Sequence, residues 1–187
     1  MTRTERKLTK QEERLRLKYP ETETFLWHNE NPKGHITGDC TVRAIAGATE
    51  QSWCAVLDGL HATYRDTSDM DMKAVNKYLE SCGWLKHKQP RHSNGKKFTG
   101  AELARWFSAN FPDGEAGNVI CSVANHMMCL KPTFHGDGIN CRYKVIDIWN
   151  SSGKTIGNYW LRRGVVLHRL PGQPLGAELP KKSNRKE

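Results

Sequence analysis

The sequence predicts an α+β domain in which N-terminal helices pack on a mostly antiparallel β-sheet. Three observations carry this. Up to about residue 110, apolar residues recur at three- and four-residue spacing behind capping residues. After Pro112 the runs are short, rich in β-branched and aromatic residues, and punctuated by Gly, Asn, Pro and Ser. Helices first and strands afterwards is the order expected of α+β rather than α/β. The chain of 187 residues is long enough for one domain with tails, and it can bury a core without staples.

Residues 4–18 favour helix, but Leu8, Leu15 and Leu17 form only a weak stripe, which reads as a helical arm. The stretch 20–38 is turn-rich, and Phe25, Leu26 and Trp27 are expected to pin it to the body. Asp39 is placed to cap a helix over 40–48, with Val42, Ile45 and Ala46 inward. Thr49 is placed to cap a second, over 50–64, on Trp53, Val56, Leu57 and Leu60. Asp69 opens a third, over 70–81, with Met72, Val75 and Leu79 inward and Gly83 as its stop. A basic loop follows over 86–97. Thr99 and Glu102 form a capping box ahead of Leu103, Trp106 and Phe107. Strands are expected at 118–123, 126–131, 142–149 and 164–169. The layout is thus a basic helical arm (1–20), an α+β domain (21–170) and a basic, poorly ordered tail (171–187).

The formal net charge of +9 first suggests an acidic partner. Residues 1–20 hold seven Lys/Arg and three Glu, and residues 181–187 hold four Lys/Arg and one Glu. The other 160 residues carry 18 Lys/Arg against 16 Asp/Glu, so the body is nearly neutral. Solvated ends are the plain reading, with attachment to nucleic acid or another acidic partner as the alternative. A mean hydropathy of −0.72 and the lack of a long apolar run exclude a membrane-spanning helix. The N-terminus has no apolar core of a secretory signal, so a cytoplasmic setting with free thiols is expected. Six cysteines without a C-x-x-C pair argue against structural zinc, and no cofactor is called for.

The chemistry centres on Cys40. It follows Gly38 and Asp39 at the start of a predicted helix, where the macrodipole favours thiolate and unpaired backbone N–H groups can stabilise an oxyanion. A thiol nucleophile needs a base and a group that orients the base. His126 begins one predicted strand, and Asp147 and Asn150 lie at the end of the next. If those strands pair antiparallel, either residue comes within reach of the imidazole. Trp149 could shield the pair.

The blocks GDCTVRAIAGAT (38–49), NHMMCL (125–130) and VIDIWNSSGKTIGNYW (145–160) resemble the papain-like cysteine hydrolase superfamily, and in particular its small bacteriophage-encoded members. The resemblance spans about residues 35–165. It implies a papain-like fold with Cys40 as nucleophile, His126 as base and Asp147 as orienter, with Asn150 competing for the third place. It implies a cysteine peptidase or amidase acting on an amide, peptide or isopeptide bond of a peptide or protein substrate. It also implies a viral protein at work in the host cytoplasm or the virion. The superfamily usually carries an oxyanion-hole Gln about six residues before the nucleophile. Here that position is Gly34, and Thr37, His35 or Asn31 are the available substitutes. The alternative is a non-catalytic papain-like module that docks nucleic acid or a host protein through the basic termini.

Overall fold

The computed structural model describes residues 6–67, 72–134 and 141–167. In chain order the elements are α1 (Lys10–Lys18), β1 (Phe25–Trp27), α2 (Cys40–Thr49), α3 (Trp53–Thr67), α4 (Met72–Ser81), β2 (Trp84–His87), α5 (Gly100–Asn110), β3 (Val119–Val123), β4 (His126–Phe134), β5 (Cys141–Asp147) and β6 (Ile156–Arg162). The α+β order of the sequence holds. The six strands form one sheet in the order β1-β5-β4-β3-β6-β2. Every pairing is antiparallel except β1 with β5, so the sheet is mixed.

Both faces of the sheet are covered, and the two-residue period of the strands sorts the side chains between them. On one face Cys121, Met128, Leu130, Tyr143, Val145 and Tyr159 pack with Leu103 and Phe107 of α5. On the other Ile120, Met127, Cys129 and Trp160 pack with Val42, Ile45, Val56, Leu60, Val75 and Leu79 of α2, α3 and α4. Double coverage explains why NVICSV and HMMCL read as nearly continuous apolar runs rather than alternating ones.

Several expectations change. The arm helix starts only at Lys10, where Thr9 and Glu12 form a capping box. Phe25–Trp27 is a strand, parallel to β5 in the register Trp27↔Asp147. Asp39 does not cap α2 with its side chain. Thr49 ends α2 instead of capping α3, its hydroxyl donating to the Ile45 carbonyl at 2.8 Å, and Ser52 accepts from Ala55 N at 3.1 Å. Met72 is exposed rather than inward. The basic loop begins within an edge strand, β2, paired with β6. The run at 164–167 is turn and coil, and β6 supplies the strand expected there. The capping role given to Asp69, residues 168–169 of the last expected strand and the 171–187 tail lie outside the described residues. Among those described, no helix is long and apolar enough to cross a membrane.

Candidate active site

Cys40 is the first residue of α2 and His126 the first of β4, and α2 packs directly on β4. The helix N-terminus therefore meets the start of the strand. The two side chains lie close enough to shift each other's ionisation, and the Met127 backbone adds to the effect on the Cys40 sulfur. The β3–β4 hairpin that presents His126 pairs Val123 with His126 around the two residues Ala124 and Asn125. Ala124 turns it with a φ of 38°, a conformation costly for a residue with a Cβ.

Asp147 is the last residue of β5, the neighbour of β4. Its Oδ2 lies 2.5 Å from His126 Nε2. A carboxylate only accepts, so Nε2 carries the proton there and Nδ1 is the ring nitrogen left for other partners. Asp147 is itself held on three sides. Ser151 Oγ donates to Oδ2 at 2.6 Å, Ile148 N donates to Oδ1 at 2.8 Å, and His28 N donates to its backbone carbonyl at 3.0 Å. The Trp149 ring lies 5.0 Å from the imidazole and covers it.

The electrostatics follow from these bonds. The hydrogen bond from His126 holds the Cys40 thiol below its ordinary pKa; burial opposes it, and the Met127 backbone N–H adds to it. Burial works to lower the His126 pKa, but the bonds to Asp147 and Cys40 outweigh it and raise the imidazole to about 9. The arrangement therefore favours the imidazolium and shifts the thiol toward thiolate. The other buried thiols behave oppositely: burial drives Cys121 far up and pushes Cys129 up to about 12. Against Cys121, Cys129 and Cys141, which burial pushes up, Cys40 is lowered by a specific neighbour.

Asp39 does not spend its carboxylate on the first turn of α2. It pairs with Arg43 one turn on, and its Oδ2 accepts from Asn31 Nδ2 at 2.6 Å and from Trp53 Nε1 at 3.0 Å. The start of α2 is thus anchored by α2 itself, by the segment after β1 and by α3, while no carboxylate competes for the N–H groups beside Cys40. Arg43 is buried, which lowers its pKa, and the charge of Asp147 offsets part of that. Gly38 has a φ of +76° and open space where a Cβ would stand. Its positive φ, rather than close packing, is what calls for glycine.

The remaining candidates separate clearly. Asn150 accepts from Ser152 N at 3.2 Å and from Ser152 Oγ at 2.6 Å, so it builds the turn and does not meet His126. Asn31 is committed to Asp39 and to Lys33 N. His35 and Thr37 are exposed near the start of α2, and neither side chain bonds another described residue. Glycine at position 34 has a local reason: φ is +71°, and a Cβ there would meet Glu12 Oε2 at 2.6 Å and Thr9 Cγ2 at 2.8 Å. The space a larger residue would use belongs to the N-terminal arm.

The arm is latched by Glu12, whose side chain is fully buried. Glu12 takes both Arg6 Nη groups, Asn29 Nδ2 at 2.8 Å and Thr9 N at 2.9 Å. Although burial would raise it, these bonds bring the Glu12 pKa down to about 2. Asn29 Oδ1 accepts from Asn31 N at 3.0 Å, and Asn31 holds Asp39. A continuous chain of hydrogen bonds thus runs from the arm to the residue before Cys40. Sequence reasoning missed Glu12, Arg43, Trp53 and Ser151. Glu12 and Arg43 had local signals, the T-x-x-E spacing from Thr9 and the i,i+4 spacing from Asp39. Comparison with known proteins finds no matching family model, curated protein or solved structure.

Proposed function

We propose that the chain is a thiol-dependent hydrolase or acyl transferase of papain-like type, acting on an amide, peptide or isopeptide bond. The observation that carries the reading is the convergence of Cys40, His126 and Asp147 from a helix start, a strand start and a strand end, with His126 Nε2 2.5 Å from Asp147 Oδ2 and the imidazole lowering the Cys40 pKa. Three separate elements converge on one proton path, which packing alone does not require.

In this reading the Cys40 thiolate attacks the carbonyl carbon, and a C–S bond forms as the carbonyl π electrons move to oxygen. The uncapped N–H groups at the start of α2 face the developing oxyanion. The C–N bond then breaks, and His126 Nδ1 delivers its proton to the leaving amine. Water, deprotonated by His126, attacks the thioester; the C–S bond breaks and the carboxylic acid departs. In acyl transfer an amine takes the place of water. Asp147 keeps Nε2–H engaged throughout and stabilises the imidazolium. The resemblance to phage-encoded proteins extends the reading to a viral protein acting in a bacterial host.

The test is iodoacetamide alkylation across pH, followed by peptide mapping. Cys40 should react first among the six cysteines, with a midpoint well below ~8.5. His126→Ala should raise that midpoint. Uniform slow labelling, unchanged by His126→Ala, would overturn the reading in favour of a non-catalytic binding module.

A further inference from the structure

A cleft of 680 Å³ opens beside Asp39, between the N-terminal arm, the segment after β1 and the start of α3. Its walls include Leu8, Trp27, Pro32, Trp53 and Asn31. Asn31 and Trp53 are the two residues that bond Asp39 Oδ2, so the cleft abuts the residue preceding Cys40. A space of this size suits a drug-sized ligand or a few residues of peptide. The arm forms a fixed wall because Glu12 latches it.

The character of the cleft follows from which polar groups are already spent. Trp27 donates its indole N–H to the Ile148 carbonyl at 3.0 Å, and Trp53 donates to Asp39. Both indoles therefore offer the cleft carbon surface. The charges lining it largely cancel. Arg6 is neutralised by Glu12, and Glu30 stands 3.4 Å from His28 and 3.7 Å from Lys131. Arg16 remains: it is exposed, lines the cleft and has no ion-pair partner among the described residues. One uncompensated cation beside aromatic walls matches one carboxylate beside an apolar group. It does not match nucleic acid, whose binding draws on several phosphate contacts.

We propose that this cleft binds a peptide segment that presents a carboxylate side chain to Arg16 and a neighbouring bulky apolar side chain to Trp27 and Trp53. The assignment names the substrate class of the hydrolase reading and rests on it, but its test does not need catalysis. Cys40→Ala protein is titrated by calorimetry with two acetylated, amidated tetrapeptides, identical except for glutamate or glutamine beside a phenylalanine. The glutamate peptide should bind about three- to fivefold tighter, the range of an exposed ion pair. The advantage should shrink in ~0.5 M salt. Arg16→Glu should reverse the preference, while Arg14→Glu, an equal charge change on the same helix outside the cleft, should leave it intact. Equal affinities, a preference unmoved by Arg16→Glu, no binding at millimolar peptide, or displacement of the peptide by a short single-stranded oligonucleotide would each overturn the proposal. The alkylation profile of Cys40 is measured separately on the unmodified protein. A cleft that fails to select the acidic peptide is thereby distinguished from a thiol that is not activated.

Discussion

Replacing Glu12 by Gln isolates the contribution of the arm, because size and shape are kept while the charge is lost. Four donors converge on this carboxylate: two from Arg6, one from Asn29 and one from Thr9. A carboxamide has one acceptor oxygen and one donor nitrogen. Whichever way it turns, its NH₂ faces donors, either Thr9 N–H at the helix start or Asn29 Nδ2 at the body. A drop in pKa from 4.5 to about 2 corresponds to roughly 3 kcal/mol of preferential binding of the ionised form. Arg6 remains about a third exposed and can rehydrate, so the expected loss is smaller, about 2 kcal/mol. For a chain of this size that is about 4–8 °C in Tm. The folded pKa lies below the unfolded one, so the contribution is complete above pH 4.5 and fades as pH falls toward 2. Wild type should therefore lose stability across that window more steeply than Glu12→Gln. Thermal unfolding with amide exchange over residues 10–18 reads both effects. A Tm change under ~1 °C with unchanged exchange in α1 would refute the latch.

Two further perturbations test other parts of the site. Asp147→Asn removes one of the two groups that raise the His126 pKa and leaves only Cys40 to offset burial. The imidazolium that holds the Cys40 thiol down is then lost at a lower pH than in the wild type. The alkylation midpoint of Cys40 should move up by more than ~1 pH unit, and the rate at pH 6 should fall at least about tenfold; an unchanged profile would remove Asp147 from the mechanism. Gly34→Ala adds a Cβ at a φ of +71°, 2.6 Å from Glu12 Oε2. The conformation alone costs about 1–2 kcal/mol, and the clash should expose the arm to limited proteolysis near residues 6–18; a resistant arm would show that the contact relaxes away.

What could be read from the sequence follows the range of the interactions involved. The helix over 100–110 announced itself because Thr99 and Glu102 cap it within three residues. The proximity of His126 to Asp147 was legible because each sits at the end of a patterned strand, and neighbouring strands bring such ends together. β1 was not legible: three residues are too few to show a period, and its partner β5 lies more than a hundred residues away. β6 was obscured by Gly157 and Asn158, which interrupt its apolar pattern; a Cβ at Gly157 would meet Ser122 Oγ at 2.8 Å. Asp39 misled for a related reason. Asp before a helix is a sound cap by local rules, yet here Arg43, Asn31 and Trp53 compete for its carboxylate and win. The Ser151 bond to Asp147 spans only four residues, but it depends on a turn whose shape the sequence left open.

The latch also changes what the basic N-terminus means. As a charge count, residues 1–20 read as a solvated basic end, with attachment to an acidic partner as the alternative. In the folded chain the Arg6 charge is consumed by Glu12, Leu8 and Leu15 pack against the core, and Arg16 walls the cleft. Deleting the arm therefore removes part of the cleft and loosens Asn29 and Asn31, on which Asp39 and the start of α2 depend. A truncated protein that loses binding or activity says nothing about net charge. Glu12→Gln undoes the latch and changes one charge; Arg14→Glu changes two units of charge and leaves the latch alone. If function follows the first variant and ignores the second, the arm acts through structure, and the terminal basicity is incidental to the site.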